Sequence, residues 1–171
     1  MFVDALCNSS FIQLLVSITF EYISSDLFDA LLSVAVDYLH ECDMEKRIPQ
    51  LIMQCITLEM ILNNLKTTKG TQVDRRVLFL RFINELVKDP VIASSFYESR
   101  GIETLIHVNE STGSISIRNH SLIILRQLIS SHNPKTVYSA YHAVFQIFQK
   151  EMRVIMEFVS LLNERLSLCR D

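Results

Sequence analysis

The 171-residue sequence has no tryptophan, three glycines, three prolines and four cysteines. Each scarcity excludes something. An all-β domain turns about every ten residues and draws on Gly and Pro to do so, which this chain cannot supply. Phosphate-cradling loops depend on glycine in the same way. Cys7, Cys42, Cys55 and Cys169 form no C-x-x-C pair, which argues against a disulfide scaffold and for reduced thiols in an intracellular, cytoplasmic or nuclear, compartment. Long apolar runs are missing too: residues 11–20 are interrupted by Gln13, Ser17 and Thr19, with no basic residue ahead of them. Neither a membrane span nor a signal sequence is expected.

A large excess of one charge is also lacking, since 16 Lys and Arg stand against 19 Asp and Glu. The distribution is uneven. Residues 1–60 hold nine acids against Lys46 and Arg47, and the remainder holds 14 bases against 10 acids. That polarity orients an approaching partner, but the basic side is too weak to imply nucleic acid.

What is present is helical period throughout, with no sustained alternation of strands. Helices are expected at 10–23 with Phe11, Leu14, Leu15 and Ile18 inward, and from residue 27 with Leu27, Leu31, Val34, Ala35 and Leu39 inward. Further helices are expected at 49–66, 73–88, 90–98, 102–109, 116–131, 135–149 and 151–168. Ser24-Ser25-Asp26 caps the second. Asp89-Pro90 and Asn133-Pro134 interrupt, because the residue before proline avoids the α region, and Gly101 supplies a backbone break. The expectation is an all-α domain, residues 1–171, of about eight or nine helices.

A shift of 42 residues aligns Arg76 with Arg118, Leu80 with Leu122, Phe82 with Ile124, Ile83 with Leu125, Leu86 with Leu128 and Val87 with Ile129. Gly101 stands 21 residues after Leu80 and 21 before Leu122. This spacing over residues 73–131 resembles the armadillo repeat, or a HEAT-like relative of it, whose unit is three helices. The resemblance implies a right-handed α-α superhelix in which one unit cannot bury its own apolar faces and stacking completes the core. It also implies a concave groove lined by third helices, with Arg81, Asn84, Glu85 and Lys88 from one and Asn119, Ile123, Arg126 and Gln127 from the next. Glu85 and Gln127 stand where peptide-reading relatives carry a ladder of asparagines, so reading of basic localisation peptides is not implied. A mixed groove with two arginines suits an acidic or amphipathic helical segment of a protein partner.

Other chemistry has thin support. His40-Glu41-Cys42-Asp43 offers ligand types, but neighbours two apart on a helix face different ways. His132 and His142 are isolated. Lys69-Gly70-Thr71 lacks the order of a P-loop, and no G-x-S-x-G is present. Arg75-Arg76 with Lys66 and Lys69 forms a basic cluster that suits phosphate or an acidic tail. The expectation is a non-enzymatic interaction module, an adaptor or scaffold without cofactor or metal. The alternative is an assembly domain that self-associates, as a homodimer or part of a longer array, through an exposed apolar end. The greasy first helix favours the N-terminal end; the last helix keeps Val154, Ile155, Phe158, Val159, Leu161 and Leu162 as a cap or a second such end.

Overall fold

The computed structural model describes residues 9–22, 27–41, 48–69, 71–130 and 133–168. Among them the chain is all-α, with nine helices and no strand. They are α1 (Ser9–Glu21), α2 (Leu27–Glu41), α3 (Ile48–Cys55), α4 (Leu58–Thr67), α5 (Val73–Leu86), α6 (Pro90–Glu98), α7 (Gly101–Thr112), α8 (Ile115–Ile129) and α9 (Pro134–Leu168). None is long and apolar enough to cross a membrane. The Ser24-Ser25-Asp26 cap, the charged run at 41–47 beyond Glu41, and Cys7, Cys42 and Cys169 lie outside the described residues, as do the apolar side chains named for the last helix.

Local chemistry sets most boundaries. Asp89 caps α6, its carboxylate accepting from the Val91 and Ile92 amides at 2.8 and 3.1 Å, with Pro90 as the first helical residue. Gly113, at φ +60°, closes α7 in the left-handed region, and Ser114 then caps α8. Two expected boundaries differ. The helix expected over 49–66 is two helices, because Thr57 takes an extended conformation and accepts from the Met60 amide. A threonine that caps competes with one that continues a helix, and nothing local in the sequence decides between them. Conversely, the pair expected at 135–149 and 151–168 is one helix, since no Gly or Pro follows Pro134 to stop it.

The long-range packing is ordered. α2 packs on α5 and α5 on α8, while α4 packs on α7 and α9 covers α6, α7 and α8. Ion pairs show the direction: Asp29 meets Arg75, Asp37 meets Arg81, and His40 lies against Glu85. Ascending residues of α2 meet ascending residues of α5, so these two helices run parallel. The buried apolar residues form one cluster from Val16 to Ile147. At the junction of α1, α2 and α5 the Phe20 ring lies 5.9 Å from Phe28 and 5.9 Å from Phe82, and Phe28 lies 5.4 Å from Phe79.

That junction corrects the expected inward faces of the first two helices. Leu14, Leu27 and Val34 are well exposed, and the buried residues are Val16, Thr19 and Phe20 on α1 and Phe28, Leu32, Ala35, Val36 and Leu39 on α2. Both helices carry Leu or Val on more than one side, so the phenylalanine contacts choose the face. Leu122, aligned with the fully buried Leu80, is only partly buried.

Between α6 and α7 the break is made by Arg100, not by Gly101. Arg100 takes the left-handed conformation at φ 58°, and its amide donates to the Tyr97 carbonyl at 3.1 Å, as the closing residue of a helix C-cap does. Gly101 does something else: a Cβ there would stand 2.5 Å from the Phe96 ring, which is fully buried and cannot swing away. The glycine is required by close approach. Gly101→Ala is therefore expected to destabilise the fold by about 1–3 kcal/mol, whereas Arg100→Gly relieves backbone strain and is expected to be neutral or stabilising by about 1 kcal/mol. Thermal melts of the two variants check both signs.

Candidate functional site

α2, α5 and α8 together line a cleft of about 210 Å³. α2 contributes Val36 and His40, α5 contributes Arg81, Asn84 and Glu85, and α8 contributes His120 and Ile123. The volume is below the roughly 300–1,000 Å³ of a cofactor or drug-sized pocket, and matches one or two protein side chains. Its walls are mixed. Val36 is buried and Ile123 is half exposed, which gives an apolar contact within a polar rim.

The polar groups are positioned by pairing. Arg81 donates to the Asp37 carboxylate at 2.8 Å, and both side chains reach solvent. The guanidinium carries further N–H donors beyond the one used here. Glu85 is nearly buried, and the Lys88 ammonium donates to it at 2.7 Å while His40 Nδ1 lies 3.6 Å away. Asn84 donates to Glu85 at 3.4 Å. His120 Nδ1 lies 2.8 Å from the Ser116 carbonyl, so that nitrogen carries the proton and Nε2 is left for other partners.

Of the eight residues expected in a groove, Arg81, Asn84, Glu85 and Ile123 line this cleft and the other four do not. Lys88 is engaged with Glu85, Asn119 and Arg126 are exposed on α8, and Gln127 is half-buried there. Val36, His40 and His120 were not anticipated. The signal for α2 lies in the acid–base complementarity: Asp29 and Arg75 are 46 residues apart, and Asp37 and Arg81 are 44 apart. Those offsets differ from the 42-residue shift seen later in the chain, which hides α2 from a strict repeat search.

The expected basic cluster around residue 70 is dispersed. Arg75 pairs with Asp29 at 2.6 Å and stands over the Phe28 ring at 5.2 Å. Arg76 is buried, with Nε 2.9 Å from the Thr68 carbonyl and Nη1 3.0 Å from Ser111 Oγ. Thr68 ends α4 and Ser111 lies in the last turn of α7, so the guanidinium answers the partial negative charge of two helix C-termini. Burial lowers its pKa, yet an arginine stays charged at neutral pH. This residue is structural and unavailable to phosphate.

No group of three or more His, Cys, Asp or Glu among the described residues is placed to hold a metal. Comparison with protein-family models, with characterised proteins and with solved structures yields no match to this chain.

The two acid–base pairs of the cleft differ in burial and should differ in energy. Arg81→Ala removes an exposed pair and is expected to cost at most about 1 kcal/mol. Glu85→Ala removes a nearly buried carboxylate that accepts from both Lys88 and Asn84, and is expected to cost about 1–3 kcal/mol. Urea unfolding of the two variants checks the order.

Proposed function

We propose that this chain is a non-enzymatic protein-interaction module, an adaptor or scaffold of armadillo-like type. In this reading α2, α5 and α8 are the third helices of successive units in a short right-handed superhelix. Their shared face receives an acidic or amphipathic helical segment of another protein. The observation that carries the reading is the cleft to which all three helices contribute side chains.

Several features support it. The sequence shift of 42 residues and the α2–α5 ion-pair offsets of 46 and 44 fit one stacked unit repeated along the chain. The two charged groups of the cleft, Arg81 and Glu85, are each paired with a residue beside it, Asp37 and Lys88. They suit steady recognition, not proton transfer. In the proposed complex an apolar side chain sits between Val36 and Ile123, and a neighbouring carboxylate takes the open N–H groups of Arg81 and the amide of Asn84. An intracellular, cytoplasmic setting suits a chain whose cysteines form no C-x-x-C pair.

Selection from a displayed peptide library tests this directly. Wild type is expected to enrich peptides that place an apolar residue within one helical turn of Asp or Glu. Ile123→Asp and Arg81→Glu are each expected to lose that enrichment at least about tenfold, with helicity unchanged. Equal enrichment on both variants, or enrichment of basic peptides, would contradict the reading.

A further inference from the structure

α9 is built the wrong way round for a helix that only covers a core. The residues it buries against the rest of the chain are small or modest: Thr136, Ala140, Ala143 and Ile147. On the opposite side it exposes Tyr138, Tyr141, Phe145, Phe148 and Met152, with Tyr138 and Phe145 at 74% and 66% of full exposure. Large side chains face water and alanines face inward. Aromatic side chains are normally where burial is richest, so this outer stripe is a surface made to be covered.

Its spacing says by what. The exposed residues follow one another at three, four, three and four positions, the a and d places of a heptad. In the sequence the same alternation runs on through Ile155, Val159, Leu162 and Leu166, giving four heptads from residue 138 to 166. A straight helix packed on an irregular surface keeps a period of 3.6, and only a second helix wound around the first keeps a strict 3.5. α9, at 35 residues, is about 52 Å long.

We infer that the outer face of α9 pairs with the same face of a second copy of this chain. The flanking residues and the available area both fit a second copy. Coiled-coil seams that choose a foreign partner carry charges at the flanking e and g positions, and here the described flanks are Val137, His142, Val144 and Gln149. By sequence the later flanks are Glu151, Met156, Phe158, Asn163 and Arg165, which adds only two charges over the remaining heptads. The area also suffices. The five described stripe residues expose roughly 600 Å² per copy, so a pair hides on the order of 1,200 Å², the lower bound of a stable specific interface. A two-fold pair is closed, which prevents the stripe from propagating into filaments. No α9 residue lines the cleft formed by α2, α5 and α8, so the dimer is expected to present two of them.

Sedimentation of the full chain over a wide dilution series tests the inference. Wild type is expected at twice its 19.8 kDa chain mass. Tyr141→Glu combined with Phe145→Glu is expected to be a monomer, with association weakened at least about 100-fold. Both residues point away from the core, so helicity and melting of the diluted monomer should be retained. Should the double variant fail to fold, the milder Phe145→Ser is read in its place, with the same expected direction. Ile123→Asp, in the cleft, should leave the dimer intact, and the double Glu variant should keep peptide binding, so failure of the dimer and failure of the cleft are separable. A wild type that is monomeric at every concentration overturns the inference and leaves the stripe to a different partner. A dimer that survives in the stripe variants overturns it as well.

Discussion

Everything else in this structure depends on α5 being enclosed from two sides. Half of its 14 residues are buried, among them Phe79, Leu80, Phe82, Ile83 and Leu86, because α2 lies along one flank and α8 along the other. A helix so enclosed cannot be amphipathic in the ordinary sense, and its two charged buried residues must be answered locally. Arg76 is answered by the ends of α4 and α7, and Glu85 by Lys88 with His40 nearby. Removing either answer would leave a charged group in a poorly solvated place. The parallel course of α2 and α5 follows from the same enclosure, with the phenylalanine cluster fixing the apolar contact and the acid–base pairs fixing the slide along it.

The cleft is a consequence of that stacking. Three helices whose apolar faces are committed to one another leave their remaining faces side by side, and residues from each converge without any loop. Rigid elements with internally paired charges make a pre-organised surface, which lowers the ordering cost of binding. The outer face of α9 is the opposite kind of surface, since its large side chains are exposed. In the proposed reading one face recognises through shape and a few donors, and the other through a long apolar register.

How much was legible beforehand varied with how local the deciding chemistry is. The helical class and the ends of α5, α6 and α8 were readable because proline, capping side chains and the period of Phe82, Ile83 and Leu86 are local signals. The faces of α1 and α2 were not, because Leu27 and Phe28 are equally plausible as core on sequence alone and only Phe20 and Phe79 settle it from a distance. Arg76 read as a surface cation for the same reason: its partners sit at helix ends far away in sequence. Half of the expected groove residues line the cleft, while His40 and Val36 were hidden by the changed offset between α2 and α5. Gly101 was noticed for its position, but its role in clearing the Phe96 ring was beyond sequence reasoning.

The central claim is that the shared face of α2, α5 and α8 is where this protein meets another. Amide hydrogen exchange, measured on the protein alone and with a selected acidic peptide bound, tests it most directly. The account predicts that binding slows exchange in the segments bearing Val36 to His40, Arg81 to Glu85 and His120 to Ile123. New protection confined to the segment around Lys66 to Arg76, or to the α6–α7 connection, with these three segments unchanged, would contradict it.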